Sequence, residues 1–321
     1  MLMPKTVLVT GACGYIGSVL TPLLVAKGHR VRAFDTQWFG QHLAPHENLT
    51  VVKGDVRTLD DAQLAGVDAI IHLASIANDP CGELNAKVRW EVDAFSTLQL
   101  ADKAVRHRVA QFIYASSGSI YGVKQEVEVV ESLPLEPISD FNKSKMVAER
   151  VLLSYRDRMH VQIVRPATVC GLSPRMRLDV LVNRLTMQAL TLGRITVVGG
   201  EQIRPNIHIE DLCRWYVFML DYPGATTGVF NAGFENLSIQ SIAERVAEKV
   251  DCDITVTASQ DPCSYRLNSD KLRNTGFELA KGVDDAIDEL IDAYRVGRVL
   301  DEPVCHNVHW MKKHYLHQST P

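Results

Sequence analysis

The stretch that decides the fold is Lys5-Thr6-Val7-Leu8-Val9-Thr10-Gly11-Ala12-Cys13-Gly14-Tyr15-Ile16-Gly17. Its first six residues are rich in β-branched side chains and read as a buried strand. Residues 15–27 then show helical spacing, and Gly28 is a good stop. Between strand and helix stand three glycines. Gly11 permits a tight turn, Gly14 lets backbone approach a pyrophosphate, and Gly17 allows close helix–strand packing. The helix N-terminus offers free N–H groups and a partial positive charge to phosphates. With Tyr15 and Ile16, these glycines are the candidate phosphate cradle.

The pattern continues outward. Residues 30–35, 50–53, 68–73, 110–116 and 161–165 read as further strands. Residues 82–107 and 140–158 read as two long helices flanking the fifth strand. Strands alternating with helices imply a parallel sheet covered on both faces. The expected fold is α/β, a Rossmann-type doubly wound sheet. Asp35 ends the second strand, where a carboxylate accepts both adenosine ribose hydroxyls and repels a 2′-phosphate. Thr36, Gln37 and Trp38 follow, with no Arg, so NAD is expected over NADP.

After Pro166 the rhythm changes. Pro174, Gly199-Gly200, Pro205 and Pro223 break the chain into shorter pieces. Helical patterns recur near 178–190, 210–220, 238–250 and 283–296. The expected organisation is an NAD-binding domain over 1–166 and a smaller α/β substrate lobe over 167–297, from which the chain can cross back. A tail spans 298–321. It carries Trp310, His306, His309, His314 and His317. No Cys or acidic residue accompanies these histidines at a metal-site interval, so the tail reads as a surface or interface segment and no metal is expected.

Composition narrows the function classes. The chain has 321 residues, 46% hydrophobic and 22% charged, which excludes disordered and collagen-like chains. Its 34 basic residues stand against 38 acidic ones, so no nucleic-acid surface is expected. No apolar run approaches the ~18 residues of a membrane span. The seven cysteines are scattered without a Cys-x-x-Cys pair and read as reduced thiols. No secretory leader is expected before the first strand, and the expected location is the cytoplasm.

The spacing G-x-x-G-x-x-G resembles that of the extended short-chain dehydrogenase/reductase family. Further pieces match in order. Gly54-Asp55-Val56 looks like the adenine-binding turn, with Asp55 on the adenine amino group. His72-Leu73-Ala74-Ser75 resembles the segment under the cofactor, and Ser116-Ser117-Gly118-Ser119-Ile120-Tyr121-Gly122 the active-site strand end. Asn142-Lys143-Ser144-Lys145 resembles the second half of the Tyr-x-x-x-Lys motif. Arg165-Pro166-Ala167-Thr168 matches the strand end beside the nicotinamide, and residues 204–211 the strand–helix junction of the substrate lobe. The resemblance runs from about residue 5 to residue 296. It implies an NAD-dependent nucleotide-sugar-modifying enzyme. It also implies a homodimer built from the two long helices, with Val92, Phe95, Leu98, Met146, Val147 and Val151 as candidate contacts.

In this family a tyrosinate takes the sugar O–H proton. A lysine one helical turn later lowers its pKa, and a Ser or Thr bonds the same oxygen. Lys145 and Ser117 fill two of those roles. The tyrosine position holds Phe141, which keeps the ring and deletes the ionisable group. Either this is a Tyr→Phe variant that traps a substrate complex, or a divergent member that uses another base or has lost catalysis. Tyr121 is the nearest substitute; its other reading is packing and lining of the sugar pocket. Asp93 stands where relatives commonly carry Asn.

The resemblance also sorts the reaction. Dehydratases and decarboxylating relatives place an acid at the position of Ser119, and 3,5-epimerising relatives a Cys. Gly118-Ser119 offers no proton shuttle, which leaves hydride transfer at one carbon, most often carbon 4. That means a 4-epimerase or a 4-dehydrogenase. The alternatives are a 4-ketoreductase, or a non-catalytic NAD- or nucleotide-binding member. The run Ser173–Asp179 resembles a subgroup that includes GDP-heptose 4-dehydrogenases. Expected substrate contacts are Ser117, Ser119, Tyr121, Thr168, Arg175, Arg177, Asn183, Arg204 and Arg266, the arginines serving a diphosphate linked to U, G, dT or C. Expected cofactor contacts are Gly11, Gly14, Tyr15, Ile16, Gly17, Asp35, Asp55, Val56, Leu73, Ala74, Ser75, Lys145 and Pro166.

Overall fold

The computed structural model describes residues 3–77, 85–222, 227–259 and 264–314. Cys81, the expected helix start at Gly82, Pro223, Cys263 and His317 lie outside the described residues.

Seven strands make one parallel sheet: β1 (Thr6–Thr10), β2 (Arg30–Asp35), β3 (Leu49–Lys53), β4 (Ala69–His72), β5 (Gln111–Ala115), β6 (His160–Pro166) and, much later in the chain, β10 (Gly228–Ala232). Their spatial order is β10-β6-β5-β4-β1-β2-β3. Order reverses between β1 and β4, and ligands of such sheets bind at the crevice beyond the strand ends there. Alternation along β1 shows the double cover. Val7 and Val9 pack into one apolar cluster and Leu8 into the other. In β5, Ile113 and Ala115 join the first cluster, Phe112 and Tyr114 the second.

The expected strand positions agree within a residue or two. The long helices are shorter than their apolar patterns. The first runs as Ala86–Trp90, a wide π turn at Glu91–Phe95, then Ser96–Arg106. The second is Asp140–Leu153, capped by Ser139 Oγ, which accepts from the Asn142 N–H. Other helices include Gly17–Ala26, Leu181–Leu192, Ile209–Asp221, Ile239–Ala247 and Val283–Arg295.

The second half also contains strands that periodicity did not reveal. β7 (Thr168–Cys170), β9 (Ile203–His208) and β11 (Glu235–Ser238) form a small mixed sheet, and β8 (Arg194–Val198) pairs with β12 (Asp253–Thr257). β10 returns to the first sheet, registering Asn231 against Arg165 and Ala232 against Pro166. The tail was expected as a surface or interface segment, and much of it is exposed. Residues 303–314 fold back onto the first sheet's side of the molecule, with Asn307–His314 helical and Met311 buried in the second apolar cluster. Trp310 Nε1–H donates to the Trp38 carbonyl at 2.8 Å. His306 pairs with Asp301, and the His314 ring lies 3.9 Å from that of Trp310.

Candidate active site

The turn after β1 needs its glycines. Gly11 sits at φ +71°, and a Cβ there would meet Ala74 N at 2.7 Å. A Cβ on Gly17 would come 2.2 Å from Gly11 O. The helix that follows has no side-chain cap and no acidic residue in its first turn, leaving its positive end to an anion.

A cavity of about 420 Å³ opens over this turn. It is lined by Gly11, Gly14, Tyr15, Ile16 and Gly17, by Asp35, Asp55 and Val56 toward β2 and β3, and by Leu73, Ala74 and Ser75 beyond β4. Ser117, Phe141, Pro166, Thr168, Arg175 and Arg177 line it too. Residues spread from Gly11 to Arg177 in the sequence thus share one cleft.

At one end, Asp35 Oδ2 accepts the Cys13 N–H at 3.0 Å and Oδ1 the Gln37 N–H at 2.6 Å. Burial pushes this carboxyl up, while those two donors and the Arg175 charge oppose the rise. Burial and the Asp35 charge push the Cys13 thiol up to about 12. Asp55 is paired with Arg57 at 2.7 Å, and Arg57 reaches Glu91 at 2.9 Å. Burial raises the Asp55 carboxyl, but its contacts with Arg57 outweigh that and hold it low.

At the other end, the Ser117 and Ser119 hydroxyls lie 2.8 Å apart, and Ser119 Oγ donates to Asn142 Oδ1. Phe141 forms the wall. Lys145 lies behind it and does not line the cavity; its Nζ donates to the Ala115 carbonyl at 2.9 Å and sits 4.9 Å from the Tyr114 ring centre. Burial pushes the Lys145 ammonium pKa down, against the pull of Asp93. Asp93 forms a fully buried pair with Arg89 at 3.6 Å, one turn earlier, and accepts from Ser144 Oγ at 3.0 Å. An acid is understandable there, since a neutral Asn would leave the Arg89 charge poorly matched.

Several expected contacts are placed elsewhere. Tyr121 is fully buried, its hydroxyl donating to Asn231 Oδ1 at 2.8 Å and accepting from Arg165 at 2.7 Å. Burial pushes its phenol up, so it neither lines the cavity nor offers a base. Asn183 is also fully buried: its amide holds the Gly171 N–H at 3.0 Å, the Tyr15 hydroxyl at 3.0 Å and the Arg177 carbonyl at 2.8 Å. It shapes the wall from behind. Ser119, Arg204 and Arg266 do not line the cavity, and Arg266 is exposed.

Arg175 is the largest relocation. It was expected at the sugar diphosphate but sits near Asp35, its guanidinium carbon 3.9 Å from the Phe39 ring centre. The absence of an Arg after Asp35 in sequence is thus partly made good from the second half of the chain. Phe39, Asn307 and Met311 also line the cavity and were missed. Nothing in the polar, histidine-bearing tail signalled it.

The cavity suits a dinucleotide. Ser75 Oγ, Ser116 Oγ and Arg175 Nε are buried without a hydrogen-bond partner, and all three residues line it. Unpaired polar atoms gathered in one cleft are what a polar ligand would satisfy.

This fold and cleft define a sugar-nucleotide-type member of the short-chain dehydrogenases, and residues 7–233 match the NAD dependent epimerase/dehydratase family. The chain belongs to that family, whose cofactor is NAD. It is 32% identical over 262 residues to the uncharacterized UDP-glucose epimerase YtcB of Bacillus subtilis (strain 168), covering 75% of this chain and 81% of the relative. UDP-glucuronic acid decarboxylase 1 of Xenopus tropicalis is 29% identical over 68% of this chain, which spans 54% of that relative's length. The solved structure of MoeE5 in complex with UDP-glucuronic acid and NAD superposes with a TM-score of 0.81 at 25% identity, over 91% of this chain and 99% of that one. Among the described residues, no helix is long and apolar enough to cross a membrane.

Proposed function

We propose that the chain holds NAD and a nucleotide sugar in this cavity and transfers hydride at sugar carbon 4, as a 4-epimerase or 4-dehydrogenase. The observation that carries this reading is the Ser117–Ser119–Asn142 contact. The position beside the reacting hydroxyl is filled by a neutral chain of hydrogen bonds, with no acid to move protons at carbons 5 or 6. The UDP-linked names of the relatives support a UDP-sugar as the first substrate class to try.

Bound NAD supplies the hydride acceptor. The chain's own residues do the rest. Gly11, Gly14 and the helix N-terminus hold the pyrophosphate, and Asp35 the adenosine ribose. Ser117 Oγ bonds the sugar oxygen that becomes the carbonyl. Phe141 is an apolar platform that orients the sugar and accepts no proton. Lys145 lies one turn behind, its Nζ held by the Ala115 carbonyl. The hydroxyl proton is then released to water, since no side chain beside Ser117 accepts it, and the chemical step is slow for that reason. Phe95 and Leu98, exposed on the first long helix, support a homodimer through that face.

Phe141 also favours a second reading, a non-catalytic NAD- or nucleotide-binding member. Incubating the chain with NAD and UDP-sugars separates the two. NADH absorbance, or a 4-epimer seen by NMR, supports the enzyme. Saturable sugar-nucleotide binding with neither product supports the binding protein.

A further inference from the structure

The cavity's Asp35 end is closed by parts of the chain far from the glycine turn. Arg175, buried to 4% exposure, stacks on Phe39 and donates to Asn307 Oδ1. Its Nε, also buried, has no hydrogen-bond partner. The Asn307 N–H donates to Asp179 Oδ2 at 3.3 Å, and Asp179 holds the Arg177 fork at 2.9 and 3.0 Å. Trp310 pins the same helix to the Trp38 carbonyl. Met311, one turn on from Asn307, is 2% exposed. Upstream, the Leu178 N–H donates to the Cys305 carbonyl at 2.9 Å.

Behind this wall lies a second cavity of about 530 Å³, lined by His42, Leu300 and Cys305 among others. Phe39 and Arg175 line both cavities. The stacked pair is therefore the partition. If it swings aside, the two spaces join.

We propose that Arg175, Phe39, Asn307 and Met311 form a strap over the adenosine half of NAD, and that opening this strap sets the rate at which the cofactor leaves. The adenosine assignment follows from Asp35 and Asp55, which sit beyond β2 and β3 on the same side of the glycine turn. Arg175 offers its unsatisfied Nε–H to that half of the ligand. Burial of so polar a group is favourable only when it is bonded, so the ligand and the strap stabilise each other. The inference deepens the proposed function by adding the release of its cofactor. A strapped cofactor suits a cycle that returns NAD at each turnover, which an epimerase does and a dehydrogenase does not.

The test is the NAD dissociation rate of the full chain, measured without sugar. Protein loaded with NAD is freed of excess and chased with NADH, whose fluorescence reports exchange. Asn307→Ala and Arg175→Met should release NAD roughly 10- to 100-fold faster, the range for losing a hydrogen bond to a charged group. Trp310→Phe keeps an aromatic side chain, removes the indole N–H that anchors Trp38, and should accelerate release a few-fold; it carries the test if a more drastic change prevents folding. UDP-sugar affinity of Trp310→Phe should stay at the wild-type value. Release at the wild-type rate from the folded variants overturns the strap. A chain that holds NAD tightly yet reacts with no sugar nucleotide overturns the proposed function alone, because the dissociation rate still reads the strap.

Discussion

The Arg89 guanidinium carbon lies 5.1 Å from the centre of the Phe141 ring, and Lys145 Nζ lies 5.9 Å from the same point. Position 141, where the motif resemblance leads one to expect a tyrosine, is thus flanked by two cations. Both favour a ring's negative face and would favour a phenolate more.

Phe141→Tyr should therefore do two things. Its phenol should titrate below the ordinary value of about 10, read from phenolate absorbance. Single-turnover hydride transfer should rise by ~10²–10⁴, the usual worth of a positioned base, with sugar affinity changed by no more than a few-fold. Lys145→Met in that background should abolish the gain. No increase with any bound sugar nucleotide would remove position 141 from the chemistry.

NAD should bind roughly tenfold more tightly than NADP, equivalent to ~1.4 kcal/mol. The 2′-phosphate meets the Asp35 carboxylate, and Arg175 offsets only part of that repulsion. Asp35→Asn should bring the two affinities together. Calorimetry giving equal dissociation constants for the parent chain would contradict the role of Asp35.

Stability should fall in acid, beginning near neutrality. His72 is fully buried between Thr10 Oγ1 at 2.6 Å and Thr97 Oγ1 at 3.1 Å. Burial and then the Lys145 charge push its pKa from 6.5 to about 3. Between those values the unfolded chain binds a proton that the folded chain refuses. The stability is present above 6.5 and lost as pH falls, by at most about 1.4 kcal/mol per pH unit. Glu289 adds a second, lower step. Burial raises its carboxyl, but His208 and Lys281 outweigh it and hold it at about 2, so its contribution is present above 4.5 and lost as pH falls through about 2. Denaturant titrations of His72→Gln should show a shallower slope between the two His72 values; an unchanged slope would refute the assignment.

In solution the chain should be a dimer. Phe95 and Leu98 are 59% and 42% exposed, while neighbouring Val92 is taken by the core. Phe95→Glu should yield a monomer by light scattering at micromolar concentration. A monomeric parent would refute the helix face as an interface.

The first half was legible because its signals are local. β1 and β5 are continuous apolar runs, and the glycines must sit where backbone crosses backbone. β7 and β11 were not legible, being three and four residues long, and β9, with Pro205 inside it, showed only through the resemblance of residues 204–211 to a strand–helix junction. Their pairing depends on distant partners. Ser117, Phe141 and Thr168 were found because each stands at a strand end or a helix start. Tyr121 was misplaced because position alone cannot tell a lining phenol from one bonded to Asn231 and Arg165. Arg175 was misplaced because the loop after β7 folds along Ser18 and Tyr15, toward the adenosine side. The tail's role rests on single residues per turn, Asn307 and Met311, too few to leave a periodic pattern.

Those two residues also give the protein a sequence of assembly. Asn307 follows every strand of the central sheet in the chain, so a ribosome delivers it only after β1 through β10 have been made. The sheet and its glycine turn are free to fold first, around a cleft whose wall is still missing. Until the helix that carries Asn307 arrives, NAD has half a seat and lends the nascent fold little of the support that a tight ligand gives by mass action. Under the proposed strap, cofactor capture thereby waits on that helix, long after the glycine turn has been made.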